Sequence, residues 1–569
     1  MRYHLLATDY DGTLATDGRL LDETRAALER LKASARKIVL VTGRQLDDLQ
    51  RVCSDLSPFE IVVAENGAIL YWPATHEKRV LAEAPPPKFL ERLRELGVPN
   101  VAVGDVIVAT WHPHETQVLE AIRELGLELQ VIFNKGAVMV LPPGVNKATG
   151  LSAALGAMSL SPHEAVAVGD AENDHAFLSL CECGVAVQNA LPMLKDRADL
   201  VTNADHGAGV AELIDRLLAS DLAELGPLLG RHDIPIGAAA NAETLRLPAY
   251  GATLLLAGTS GGGKSTLVTA FVEQLAERGY QFCIIDPEGD YSAVPGVGVV
   301  GDRQSAPTTN EALKLLEQPS TNVVVNLLGM RLEDRPEFFE ALMPQLLALR
   351  LRTGRPHFIV VDEAHHLAPR DAPTRVAGAG EWTNVLLVTV HPKHVAQILL
   401  QRVDIALAVG AAPAETISEF AFGVGEAPPA MDAGALESGE ALVWWRRPRG
   451  EPRRVRTIAP SAERQRHLRK YAHGDLDDRS FWFRGPGQKL NLKAQNLTTF
   501  MQLGDGVDDS TWLYHLGAGD YVRWIRDCIK DDELADEVEQ VRHTANQRSP
   551  DETRAAVRSA IERRYTTPA

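Results

Sequence analysis

Two stretches of this chain dictate the same local shape, an apolar strand that runs straight into a short loop built for anions. They are HLLATDYDGT, residues 4–13, and TLLLAGTSGGGKST, residues 253–266. Apolar runs this short and unbroken read as strands buried on both faces, the kind found in parallel sheets covered by helices. Ligands of such sheets bind beyond the carboxyl ends of the strands. A chain of 569 residues exceeds what one core holds, so three or four units are expected, two of them α/β.

In the first region, strands alternate with amphipathic helices: ETRAALERLKAS is a helix, KIVLVTGR a second strand, and AVAVGDAENDHAFL a later strand and turn. Asp9, Thr42 and Asp170 all fall at strand ends. The residue types suit attack on a phosphate ester. Asp9 is the candidate nucleophile, and Asp11, two residues on, the acid and base that serves the leaving oxygen and then water. Facing carboxylates would repel a phosphate, so Mg²⁺ is expected on Asp9, Asp170 and the backbone carbonyl of Asp11. Thr42 and Gly43 can meet phosphoryl oxygens and Lys147 supplies a compact positive charge. Asn173 and Asp174 are expected to orient the lysine and the metal's water shell.

This ordered set, DYDGT, the strand-terminal Thr42, Lys147 and GDxxND, resembles the haloacid dehalogenase superfamily of phosphatases over residues 1 to about 217. AENGAIL and an insertion between Thr42 and Lys147 resemble the subclass with an α/β cap (type IIB, Cof-like), which includes many sugar-phosphate phosphatases. The resemblance implies a Rossmann-like core over residues 1–79 and 146–217 and a cap over 80–145 that selects a small phosphorylated substrate. Within the cap, NVAVGDVIVATW reads as one strand. WHPHE brings His112, His114 and Glu115 together, a pattern that reads as a loop and an acidic helix start rather than a metal site.

The second region, residues 222–458, carries strand, glycine loop and helix in the order a Walker A loop requires. Gly258, Thr259, Ser260, Gly261, Gly262 and Gly263 can wrap a β-phosphate with backbone N–H groups. Lys264 reaches the β- and γ-phosphates, Ser265 ligates a second Mg²⁺, and Thr266 faces the α-phosphate. In HFIVVDEAHHLAP, Asp362 belongs to the Mg²⁺ shell and Glu363 polarises the attacking water. NVLLVTVHP ends at Thr389 and His391, where a γ-phosphate sensor is expected. ATP is the expected substrate. CIIDPEGDY resembles the HerA, FtsK and VirB4 group of ring-forming ATPases, whose members are commonly hexamers. The resemblance implies a RecA-like α/β domain, a homo-oligomer and an arginine donated by a neighbour, for which Arg402 is the candidate. His391 departs from the glutamine common there.

Residues 459–569 read as a small, mostly helical accessory domain opened by a basic amphipathic stretch, PSAERQRHLRKYAHG. Their tryptophans and basic residues can fill a core or stack on nucleic-acid bases. A net charge of −18 excludes non-specific coating of nucleic acid but leaves room for a local basic channel. Five scattered cysteines suggest reduced thiols. With neither an apolar leader nor a run long enough to cross a bilayer, the chain is expected to be cytoplasmic, with no membrane partner. The composite expectation is a bifunctional phosphatase and ATPase acting on a small phosphorylated metabolite or nucleotide. The alternatives are a polynucleotide kinase-phosphatase or a DNA-end-processing translocase.

Overall fold

The computed structural model describes residues 1–134, 136–259, 261–370, 382–431, 434–460, 480–529 and 531–565. Ser260 and nearly all of the basic stretch after Pro460 lie outside them. The chain divides into two compact units, residues 1–292 with 296–458, and residues 293–295 with 459–569.

The larger unit holds two main sheets. The first runs in the order Leu200–Val201, Cys183–Ala186, Ala165–Gly169, Leu5–Thr8, Lys37–Val41, Ile61–Ala64, Ile69–Trp72, Glu77–Val80. Its first six strands are parallel. The last two are antiparallel, because the tight Glu65–Gly67 turn folds the chain straight back on itself. The Leu5–Thr8, Lys37–Val41 and Ala165–Gly169 strands are apolar and buried almost throughout, as continuous apolar runs require.

Between this sheet's edge and Lys147 lies a separate small layer. Helices Pro87–Glu95 and Glu115–Glu124 pack on a four-stranded antiparallel sheet around Phe89, Leu93, Val118, Val138 and Val140. The single strand expected over NVAVGDVIVATW is instead a hairpin of Ala102–Val103 and Val108–Trp111. Its turn is pinned from outside: the buried Glu65 carboxylate accepts the backbone N–H groups of Asp105, Val106 and Ile107 at 2.8–2.9 Å. The Glu115–Glu124 helix begins at Glu115, in keeping with a loop and an acidic helix start at WHPHE.

In the second, eleven-stranded sheet, Leu254–Gly258 lies between parallel strands Ile405–Val409 and Val385–Thr389. Beyond Val385–Thr389 come Phe358–Val361, Phe282–Asp286, Asn322–Asn326 and Val297–Val300, all parallel. The antiparallel strands Glu440–Trp445, Arg453–Thr457, Ile234–Ala239 and Thr244–Leu247 extend the other side. The Val385–Thr389 strand thus separates the loop at Gly258 from the acids at Asp362 and Glu363.

The two sheets meet through residues that immediately precede their strands. Glu164 and Glu182 stand before Ala165–Gly169 and Cys183–Ala186, while Tyr280 and His357 stand before Phe282–Asp286 and Phe358–Val361. Arg355 Nε donates to Glu164 Oε1 at 2.7 Å, with both side chains 1% exposed. Tyr280 Oη donates to Glu182 Oε2 at 2.9 Å, and its ring stacks on His163 at 3.7 Å. The seam therefore joins the amino-terminal edges of both sheets.

In the smaller unit, the hairpin Phe481–Phe483 with Leu492–Ala494 and the helices Leu497–Gly506, Asp509–Ala518, Asp520–Trp524, Asp532–Thr544 and Pro550–Tyr565 enclose an aromatic core. Phe481, Phe500, Trp512, Tyr521 and Trp524 are buried and pack ring against ring. Trp512 and Trp524 thus serve the core and are not available for stacking on bases. Trp482 is half-buried. Among the described residues, no helix is long and apolar enough to cross a membrane.

Candidate active sites

At the carboxyl ends of the first sheet's central strands, Asp9, Asp170 and Asp174 bring carboxylate oxygens within 4.8 Å of one another. The parallel pairing of Leu5–Thr8 with Ala165–Gly169 sets Asp9 beside Asp170. Lys147, the first residue of helix Lys147–Ala157 and 1% exposed, donates from Nζ to Asp9 Oδ1 at 2.6 Å and Asp174 Oδ1 at 2.5 Å. Asp174 Oδ2 in turn accepts the N–H groups of Asp170 and Ala171. Thr13 Oγ1 donates to Asp170 Oδ1 at 3.2 Å.

Burial, reinforced by Asp174 and Asp170, pushes the Asp9 carboxyl up to about 8 against the pull of Lys147. Burial works against the Lys147 ammonium, but Asp174 and Asp9 outweigh it and hold its pKa above the usual lysine range. Three acids against one ammonium leave a deficit of positive charge. The all-oxygen donor set is the kind a hard divalent cation takes, so these residues fit Mg²⁺.

The side chain of Asp11, whose backbone carbonyl is the expected metal ligand, is gripped by Arg44, Nε to Oδ2 at 2.6 Å and Nη2 to Oδ1 at 2.7 Å. Arg44 was absent from the sequence-derived site, although it closes the strand-terminal Thr-Gly-Arg. Asn173, expected with Asp174 to orient the lysine and the metal's water shell, donates from Nδ2 to Asn66 Oδ1 at 3.1 Å. Thr42 is buried, and its Oγ1 accepts the N–H of Arg44. A Cβ on Gly43 would lie 3.6 Å from Met139 Sδ, so the small antiparallel layer comes down onto the Thr42–Gly43 loop.

In the second sheet, the loop after Leu254–Gly258 is held by contacts that admit no side chain. Gly258 has φ +156°, and a Cβ there would sit 2.2 Å from the Val409 carbonyl oxygen. Gly261 and Gly263 take positive φ. Lys264 Nζ donates to the carbonyls of Gly258 and Thr259 at 3.2 and 3.4 Å. Ser265 Oγ donates to Asp290 Oδ2 at 3.0 Å. Asp290 is a further site residue that the sequence reading passed over inside Asp-Pro-Glu-Gly-Asp. Asp286 Oδ1 and Oδ2 cap that turn by accepting the N–H groups of residues 288–291.

Asp362 and Glu363 sit at the end of Phe358–Val361. Burial, with Glu363, Asp286 and Asp290 nearby, holds the Asp362 carboxyl well above its ordinary range. Glu363 is buried with φ +42°, a left-handed conformation uncommon for a residue with a side chain. His365, also missed from sequence, stands between the sites expected for water activation and sensing: its Nδ1 lies 3.3 Å from Glu363 Oε2 and 3.1 Å from Thr389 Oγ1. Burial, then the neighbouring His366, His391 and His394, pull His365 down to about 4. His391 is exposed and its N–H donates to Thr389 Oγ1. Arg402 precedes Ile405–Val409, whose parallel register with Leu254–Gly258 puts it at the far end of the sheet from the glycine loop. It does not join this chain's own site. Thr266 follows Ser265 on the helix Lys264–Glu277.

Residues 6–99 and 98–214 match the family model for haloacid dehalogenase-like hydrolase, and residues 249–400 match that for AAA domain. Phosphoglycolate phosphatase of Methanothermobacter thermautotrophicus is 32% identical over 222 residues, covering 37% of this chain and 98% of the relative. That of Haloarcula marismortui is 34% identical over 218 residues, 37% of this chain and 95% of the relative. Among solved structures, a haloacid dehalogenase-like hydrolase from Bacteroides thetaiotaomicron is 21% identical and aligns with 38% of this chain and 99% of its own, at a TM-score of 0.34.

Proposed function

The first 214 residues of the chain belong to the haloacid dehalogenase-like hydrolases, and from that premise we propose a Mg²⁺-dependent phosphomonoesterase whose nucleophile is Asp9. The observation that carries this reading is the buried Asp9–Lys147–Asp174 contact beside Asp170. Asp9, Asp170 and the Asp11 carbonyl would hold Mg²⁺, which neutralises the acids and the phosphoryl oxygens facing them. Lys147 holds Asp9 in line, and Thr42 and Gly43 present a hydroxyl and a backbone N–H to the phosphoryl group. Asp9 takes the phosphoryl group as an aspartyl-phosphate while Asp11 protonates the departing oxygen. Asp11 then takes a proton from the water that clears the intermediate. Both Asp11 oxygens accept from Arg44 in the structure, so Asp11 would make these two transfers with that pair opened, a proton then standing on the carboxyl.

The substrate we assign is a small phosphomonoester. The small antiparallel layer brings Met139 onto the Gly43 loop, as a lid for a small substrate would, and the relatives from Methanothermobacter thermautotrophicus and Haloarcula marismortui are named for phosphoglycolate. Phosphate release from phosphoglycolate and from a panel of sugar phosphates and nucleotides, by the wild type and by Asp9→Asn, tests the assignment. Turnover lost in Asp9→Asn supports it, and turnover surviving there removes it.

For the AAA-type region we propose ATP hydrolysis of the HerA-like kind. The loop from Gly258 to Thr266 would cradle the phosphates, and Ser265 and Asp362 would hold a second Mg²⁺. Glu363 would polarise the attacking water, with Thr389 and His391 sensing the γ-phosphate. Arg402, remote from its own loop, is assigned to the nucleotide of a neighbouring subunit in a homo-oligomeric ring. Sedimentation with and without ATP, alongside ATPase rates of Arg402→Ala, tests this: a monomer that hydrolyses ATP unaffected by Arg402→Ala rules out the ring assignment.

A further inference from the structure

The seam between the two sheets holds a cavity of about 440 Å³, open to the surface at Leu351 and Tyr250, that neither active site uses. The charges in and beside its wall do not balance. Arg2 Nη2 pairs with Glu182 Oε1 at 2.5 Å, and Glu164 pairs with Arg355 at 2.7 Å. Arg350 has no carboxylate partner among the described residues. Its Nε donates to the Pro356 carbonyl at 2.8 Å and its Nη1 to that of Thr383 at 2.5 Å, while Nη2 is buried with no hydrogen-bond partner. A guanidinium does not shed its proton in a protein, so one positive charge stands uncompensated in this wall.

A second donor beside it is also unused. His357 Nδ1 accepts the N–H of Gln281 at 2.8 Å, so the proton of the neutral ring is on Nε2. That buried Nε2 has no hydrogen-bond partner, and Glu164 Oε1 is 3.7 Å away. The Glu182 carboxylate cannot serve in their place, because Arg2, His163 and Tyr280 already occupy it. The rest of the lining is chiefly apolar, including Leu347, Ala348 and Leu351 of helix Arg335–Thr353 and the ring of Tyr250.

We propose that this cavity is a binding site for a small organic anion, a single acid group on an apolar or aromatic body, with Arg350 and His357 meeting the acid and Ala348, Leu351 and Tyr250 the body. Its volume falls in the range of small-molecule pockets. An occupant rests against residues that lead directly into catalytic strands: Glu164 into the strand that ends before Asp170, and His357 into the one that ends before Asp362. The site is therefore placed to let one ligand bear on both activities.

Calorimetric titration of the full chain with 1-naphthoate, 1-naphthylphosphonate and the neutral 1-naphthamide tests this, the first two separating a carboxylate from a phosphoryl source. At least one acid is expected to bind tenfold or more tightly than the amide. Arg350→Gln should remove that preference, and Ala348→Trp, which fills the cavity from an exposed helix position, should abolish binding of acid and amide alike. Unfolding temperatures of both variants establish that they are folded, and Ala348→Trp removes none of the carbonyls that Arg350 bonds, those of Pro356 and Thr383. The proposal is overturned if neither acid binds at millimolar concentration, if amide and acids bind equally, or if acid binding survives in Ala348→Trp.

Discussion

Asp9 illustrates how one residue's surroundings set its working conditions. Its carboxyl titrates at about 8 because it is buried, with Asp174 and Asp170 adding to the effect, against about 3.9 in an unfolded chain. The folded state thus binds this proton more tightly than the unfolded one. The cost of ionising Asp9 is absent below about pH 4, grows through the interval, and is complete above about pH 8. In chelator, the unfolding temperature should accordingly fall from pH 5 to pH 8. Mg²⁺ competes with that proton, so its affinity should rise roughly tenfold per pH unit up to about pH 8 and level off above it. Titration calorimetry across pH checks this, and a flat profile contradicts the placement of Asp9 among the ligands. Asp9→Asn should lower phosphatase turnover by at least ~10³-fold while the ATPase rate stays within twofold of wild type. The core of this site was legible because Asp9, Thr42, Lys147 and Asp170 occupy motif positions at or beside strand ends. Arg44 was not, because its partner is 33 residues away and only the parallel register of Leu5–Thr8 with Lys37–Val41 brings the two loops together. Asp290 and His365 escaped for a similar reason, each meeting a side chain of a distant element, Ser265 on a helix and Thr389 on a strand.

At the scale of elements, the contact most open to test is Glu65 on the hairpin turn of the small antiparallel layer. Its carboxylate accepts the N–H groups of Asp105, Val106 and Ile107, and among the described residues those of Asp105 and Val106 have no other hydrogen-bond acceptor. Glu65→Ala leaves these donors stranded at a cost of roughly 1–3 kcal/mol for each buried group. The expected outcome is faster proteolysis within residues 80–145 and a raised KM for the phosphomonoester, with the ATPase unchanged; an unaltered KM would show that the layer stays seated without Glu65. Gly258→Ala has a different signature, since its Cβ would strike the Val409 carbonyl oxygen. ATP binding measured by fluorescent-nucleotide titration should be lost, and phosphatase activity retained. The alternation of strands and helices was readable from apolar periodicity. The broken strand at Gly104 was not, since what breaks it is a carboxylate supplied by another layer.

At the scale of the molecule, the seam is the feature that no local pattern announces: Glu164 and Arg355, 191 residues apart, share one buried ion pair. Such a pair is weak evidence of net stability, but breaking it strands a charge at about 3–5 kcal/mol. Glu164→Ala should therefore lower the unfolding temperature of the phosphatase and ATPase activities together. Scanning calorimetry with parallel activity loss checks this, and separate transitions with only one displaced would mean that the seam does not bind the two halves. Because the sheets join at their amino-terminal edges, each catalytic mouth opens a strand's length, about 15 Å, away from the junction. Among the described residues, the two candidate sites therefore face away from the seam and from each other's strands. Were ATP hydrolysed at the second mouth as proposed, its phosphate would enter bulk solvent before meeting the other mouth, and isotopic label would be diluted by any unlabelled pool. Coupling between the proposed activities, if a ligand at the seam exerts it, would run along the strands that start there rather than by passage of a shared intermediate.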